Sequence, residues 1–151
     1  MSNFNRQLVA LTMATLRADG KVDAAEIEVI KKVATDLECS ADETTKLLLE
    51  ETEKQAKCPD IQAYIKEVAA TVEKPEDKQL IMEACTQVAL ADKDLATKEA
   101  EVLVMVCNAL GGNIARMICD IATVAQIDRD IKIEGNDANY DEDEVVEVVN
   151  N

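Results

Sequence analysis

Apolar residues recur along this chain at helical spacing, and the breaks between them carry helix-start and helix-stop chemistry. Ile61, Tyr64, Ile65, Val68, Ala69 and Val72 follow one another at i, i+3, i+4, i+7, i+8 and i+11, the cleanest amphipathic ladder in the chain. A first helix is expected over residues 5–18, with Leu8, Leu11, Thr12, Thr15 and Leu16 along one side. A second opens at Asp23, a good N-cap with Glu26 three residues on, and carries Ile27, Ile30, Val33, Ala34 and Leu37. Ser40 and Glu43 form another capping pair ahead of a third helix with Leu47 and Leu48. Pro59 and Pro75 suit the first turns of a fourth and a fifth helix, the fifth running to about residue 91. A sixth covers about residues 97–110. Its run from Val102 to Cys107 is apolar all round, which marks it as the expected central helix. Gly111 and Gly112 end it, and a seventh takes about residues 113–126. Beyond, Ile131 and Ile133 are expected to make a short extended contact with the body.

Two of these ladders say nearly the same thing. Ala18-Asp19-Gly20-Lys21-Val22-Asp23-Ala24-Ala25-Glu26 is matched 73 residues later by Ala91-Asp92-Lys93-Asp94-Leu95-Ala96-Thr97-Lys98-Glu99. Val29, Ile30, Val33 and Leu37 then correspond to Val102, Leu103, Val106 and Leu110. The pattern predicts an all-α fold, a compact bundle of about seven helices. It is built on two copies of one helical hairpin, the first with the second helix and the fifth with the sixth, packed about a pseudo-twofold axis.

Composition supports helices: among 151 residues there are four Gly and two Pro, and 48% are apolar, enough for a core. That core must be aliphatic, because Phe4, Tyr64 and Tyr140 are the only aromatic residues. The net charge of −15 repels nucleic-acid phosphates and anionic lipid, and attracts cations and basic protein surfaces. Residues 128–151 hold nine acids and two bases. By composition alone they are expected to form a flexible acidic tail behind a domain of residues 1–127. No apolar run reaches the roughly 20 residues of a membrane span, and the start lacks a signal-peptide pattern, so the expected location is the cytoplasm.

The absence of histidine removes the commonest general base, the commonest metal ligand and the ordinary serine triad. With no phosphate-cradling glycine loop and no activated nucleophile, an enzyme is not expected, nor a tightly held small-molecule substrate. Five cysteines without a C-x-x-C pair argue against a disulfide framework or a zinc site. Cys85, Cys107 and Cys119 fall in apolar helical stretches and read as small hydrophobes.

The repeated acids carry the remaining chemistry. In the first copy a turn at Asp19-Gly20 and a capping box from Asp23 to Glu26 explain everything. In the second copy the cap position is Ala96 and the turn position is Lys93, yet Asp92 and Glu99 persist. What survives is the carboxylate pair. Asp19 and Asp92 also stand just past helix C-termini, where the helix dipole disfavours an anion unless a cation offsets it. Asp19, Glu26, Asp92 and Glu99, with Asp23 and Asp94 as possible additions, are therefore the candidate ligands of a divalent cation. Oxygen-only ligands select Ca²⁺, Mg²⁺ or Mn²⁺. The first box resembles the second half of an EF-hand loop, but Thr15 and Arg17 stand where its first acids would be.

The doubled Ala-Asp-x-x-x-x-x-x-Glu box with its following ladder resembles the TerB family of tellurite-resistance and TerB-like domains, over roughly residues 5–125. The resemblance implies a compact helical module with an acidic surface and a divalent-metal site at Asp19, Glu26, Asp92 and Glu99. It also implies a place in bacterial stress response, and a protein partner rather than a substrate. Lys93 stands where the family has glycine, and Ala96 where it has an acid or cap residue. Direct capture of tellurite, an oxyanion, is disfavoured by the body's own charge. The competing reading is a metal-independent adaptor whose acidic face or tail engages a basic protein partner.

Overall fold

A computed structural model describes residues 3–19, 22–91, 93–127 and 130–133. Seven α-helices account for most of them: α1 Asn3–Leu16, α2 Ala24–Asp36, α3 Ala41–Ala56, α4 Ile61–Ala70, α5 Pro75–Ala89, α6 Thr97–Ala109 and α7 Ile114–Ile127. A 3-10 turn, Arg17–Asp19, continues α1. The described strands, β1 Asp94–Leu95 and β2 Lys132–Ile133, pair in parallel. The fold is all-α, as the ladders predict.

The helix ends follow their capping residues. Asp23 Oδ1 accepts from Glu26 N at 3.0 Å while Glu26 Oε1 accepts from Asp23 N at 3.2 Å, a complete capping box. Ser40 Oγ accepts from Glu43 N at 3.4 Å and Asn113 Oδ1 from Arg116 N at 3.2 Å. Pro75 opens α5 as expected. Pro59 does not open α4: Asp60 is the cap, accepting from Ala63 N at 3.1 Å, and the helix begins one residue later.

The C-terminal ends of α2 and α6 also correspond. Glu38 and Gly111, 73 residues apart, both adopt left-handed backbone, at φ 63° and 72°. Behind them Cys39 N donates to Ala34 O and Gly112 N to Cys107 O, each at 2.8 Å, the six-to-one bond of a Schellman cap. Left-handed backbone is unfavourable for any residue with a Cβ. Glu38→Gly is therefore expected to raise the unfolding free energy by about 0.5–1 kcal/mol, after allowing for glycine's greater chain entropy. A higher urea midpoint at unchanged slope would register the gain, and an unmoved midpoint would refute it.

The most buried helix is α1, not α6. Eleven of its fourteen residues are buried, and it packs against α2, α3, α4, α5 and α6. The stretch from Gln7 to Leu16 holds no charged residue, and its hydroxyls are satisfied without water. Thr12 Oγ1 donates to Leu8 O at 2.7 Å, Thr15 Oγ1 to Leu11 O at 3.0 Å, and Gln7 Nε2 to Thr71 O at 2.9 Å. By contrast α6 leaves Val104 and Met105 only half-buried.

Two apolar clusters make the core. The larger joins Leu8, Leu11, Ile65, Ile81, Leu103 and Val106 across α1, α4, α5 and α6. The smaller joins Val9, Met13 and Leu16 of α1 to Ile30, Leu47, Leu48 and Val88. Cys85 and Cys107 are buried hydrophobes, and burial pushes the Cys85 thiol up to about 12. Cys119 departs from expectation: it is exposed, on the outer side of α7.

Candidate cation site at the helix corners

Each acidic box lies at a corner between helices. Asp19 ends the 3-10 turn after α1, and Glu26 lies in the first turn of α2. Glu99 lies in the first turn of α6. Asp92, and the side chain of Asp19, fall outside the described residues. Of the six candidate ligands, Glu26 and Glu99 are buried, at 4% and 1% exposure, whereas Asp23 and Asp94 are exposed.

The two glutamates do the same local work. Glu99 Oε1 accepts from Ala96 N at 3.2 Å, as Glu26 Oε1 does from Asp23 N. At the second corner only this half of the box exists, because alanine has no side-chain acceptor. Capping needs a carboxylate near the surface and does not require burying it. Placing one away from water costs several kcal/mol unless hydrogen bonds or a positive charge compensate. Two glutamates, 73 residues apart, are nonetheless both buried at helix N-termini.

The helices carrying the boxes pack crosswise. The 3-10 turn that ends at Asp19 lies against α6, the helix that opens with Glu99. In the other direction α2, the helix that opens with Glu26, lies against α5, which leads into the second box. Among the described residues no three cysteine or acidic groups gather at one point.

The second corner has a brace that the sequence foreshadowed only in Ile131 and Ile133. Lys132 N donates to Lys93 O at 2.7 Å, and Asp94 and Leu95 stand in register with Lys132 and Ile133. Lys93, in the position matching Gly20, adopts φ 63°. Its ammonium lies 3.9 Å from Asp130, an exposed and hence weak ion pair. A left-handed position explains why glycine suits this place in a repeat of the motif.

A different buried carboxylate escaped the sequence reading. Glu51 of α3 is 2% exposed and accepts the phenolic hydrogen of Tyr64 from α4, with Oε2 at 2.7 Å. Lys54 Nζ stands 5.1 Å from the centre of the Tyr64 ring. Burial first, then the hydrogen bond and charge of Glu51, raise the Tyr64 phenol well above its ordinary value. The signal was present: Thr44, Leu47, Leu48, Glu51 and Gln55 follow one helical stripe, so Glu51 belongs to an inward face.

The family model described as tellurite resistance protein TerB matches residues 5–119, three-quarters of the chain. The chain belongs to the TerB family. The matched span runs from α1 into α7 and contains both corners with all six candidate ligands. Searches of curated proteins and of solved structures returned no match. Membership accounts for the helical architecture. Among the described residues of this TerB domain, no helix is long and apolar enough to cross a membrane.

Proposed function

We propose that this TerB domain is a non-enzymatic, cytoplasmic module that binds a divalent cation, Ca²⁺, Mg²⁺ or Mn²⁺, at its two acidic corners. In this reading the bound cation sets how the module docks to a protein partner with a basic surface, within a response to tellurite or metal stress. The observation that carries it is the burial of Glu26 and Glu99 at matching places 73 residues apart. The crosswise packing supports pairing Asp19 with Glu99 and Asp92 with Glu26, so that one cation would clasp two helices. The cation would offset the unfavourable dipole that Asp19 and Asp92 meet at the ends of α1 and α5. The division into a helical domain, residues 1–127, and an acidic tail, residues 128–151, is part of the same proposal.

The test is thermal melting in EDTA, then in each metal at matched ionic strength. A cation at ten times its dissociation constant adds about 1.4 kcal/mol, roughly 3–6 °C for a chain of this size. Asp19→Asn combined with Asp92→Asn should abolish that shift. A melting point indifferent to all three metals at millimolar concentration would sink the proposal.

The acidity of residues 128–151, nine acids against two bases, favours a second reading in which docking needs no metal. Capture of a basic partner would then weaken steeply with salt and ignore EDTA.

A further inference from the structure

The 73-residue correspondence extends past the two corners. Ser40, the cap of α3, corresponds to Asn113, the cap of α7. The repeated hairpin read from the sequence stops at the second and sixth helices, yet α3 and α7 each follow a Schellman cap at the same offset. Their packing differs. α3 lies along α1 and covers it: Leu47 and Leu48 join Val9 and Met13 in the smaller core cluster, and Gln55 Nε2 donates to Ala10 O at 2.9 Å. α7 makes its closest helix contact with α6. Leu47 corresponds to Asp120, an exposed residue that cannot fill an apolar hole.

What remains is a groove of about 570 Å³ between α5 and α7. Its α5 wall includes Lys78, Met82, Glu83, Thr86 and Gln87. These positions correspond one for one to Asn5, Val9, Ala10, Met13 and Ala14, which are all buried on α1. Cys107 and Leu110 of α6 also line the groove, and Gly112 is held there by space, since a Cβ would meet Cys107 Sγ at 3.0 Å. Val124 lines the opposite wall at 39% exposure. The groove is thus the second copy's version of a core cluster, without its cover.

We propose that the cover is this chain's own segment, residues 145–149, docked in the α5–α7 groove through its valines. Two observations select that occupant. Val145, Val146, Val148 and Val149 are the only large aliphatic residues after Ile133, and otherwise have no apolar counterpart in an acidic stretch. Reach is ample: Ile133 is held at β1, just past the end of α5, and eleven residues separate it from Val145. Extended, those eleven span roughly 36 Å, against roughly 18 Å for the α5 wall. The charged lining is balanced, Lys78 and Arg116 against Glu83 and Asp120, so the contact rests on the valines and not on charge.

Hydrogen exchange on the full-length chain tests the proposal, comparing wild type with Val145→Asp/Val148→Asp and, separately, Val124→Asp. Amides in residues 82–87 and 117–124 should exchange about 3–10-fold faster in the double variant. Residues 82–87 should respond in the same way to Val124→Asp. Excess synthetic peptide of residues 143–151 should restore protection to the double variant. Unchanged exchange in that variant overturns the proposal. So does protection in wild type that grows with protein concentration, which would assign the groove to a second copy.

Discussion

Leu11→Ala is expected to lower the unfolding free energy by about 3–5 kcal/mol, the upper part of the range for a buried leucine. Leu11 is fully buried at the centre of the most enclosed helix, with α5, α3, α4 and α6 all packed on α1. Walls held from so many sides cannot collapse into the vacated space, so the cavity cost adds to the lost transfer energy. A domain's whole stability is roughly 5–15 kcal/mol, so this one truncation would remove a large share of it. Leu49→Ala is the control: Leu49 is 70% exposed on α3, and its loss should change stability by no more than about 0.5 kcal/mol. Urea unfolding at constant slope measures both. Similar midpoints for the two variants would contradict the central position of α1.

Tyr64→Phe is the second large effect, at about 2–3 kcal/mol. The substitution removes the hydroxyl that donates to Glu51 and leaves a 2%-exposed carboxylate without that hydrogen. The loss should be mutual. Glu51→Leu in the Tyr64→Phe background should recover most of it, because an apolar pair of similar shape leaves no buried polar group. A single-variant cost below about 0.5 kcal/mol would refute the buried pair. The pH dependence has a definite sign. The phenol's folded value is raised above the ordinary 10.0, so its protonated form is favoured by folding. That contribution is complete below about pH 10 and is lost as pH climbs toward the folded value. The gap between wild type and Tyr64→Phe should therefore narrow above pH 10.

The helices were legible because their determinants are local. Asp23 with Glu26, Ser40 with Glu43, Pro75 and the Gly111-Gly112 pair each mark an end within one turn of where it falls. Which helix lies at the centre was not local. The sixth reads as the more apolar, yet α1 is enclosed because Thr12, Thr15 and Gln7 direct their polar atoms to carbonyls and so tolerate dry surroundings. Spacing alone scores those residues as polar and misses this. Pro59 would equally suit a helix start two residues earlier, and only the bond that Ala63 N donates to Asp60 Oδ1 decides the matter. At the corners, the repeat singled out Glu26 and Glu99, and burial distinguishes them from exposed Asp23 and Asp94. Glu51 was hidden because a glutamate on an apolar stripe reads as an interruption until its phenol partner arrives from another helix.

The parallel sense of the β1–β2 pair has a practical consequence. The chain leaves Ile133 pointing the way it leaves Leu95, toward the first turn of α6. A fluorophore or affinity handle on exposed Lys132, in register with Asp94, would therefore report on the second corner. The same handle on Asn3, at the far end of α1 from Asp19, would be insulated from both corners by the length of that helix.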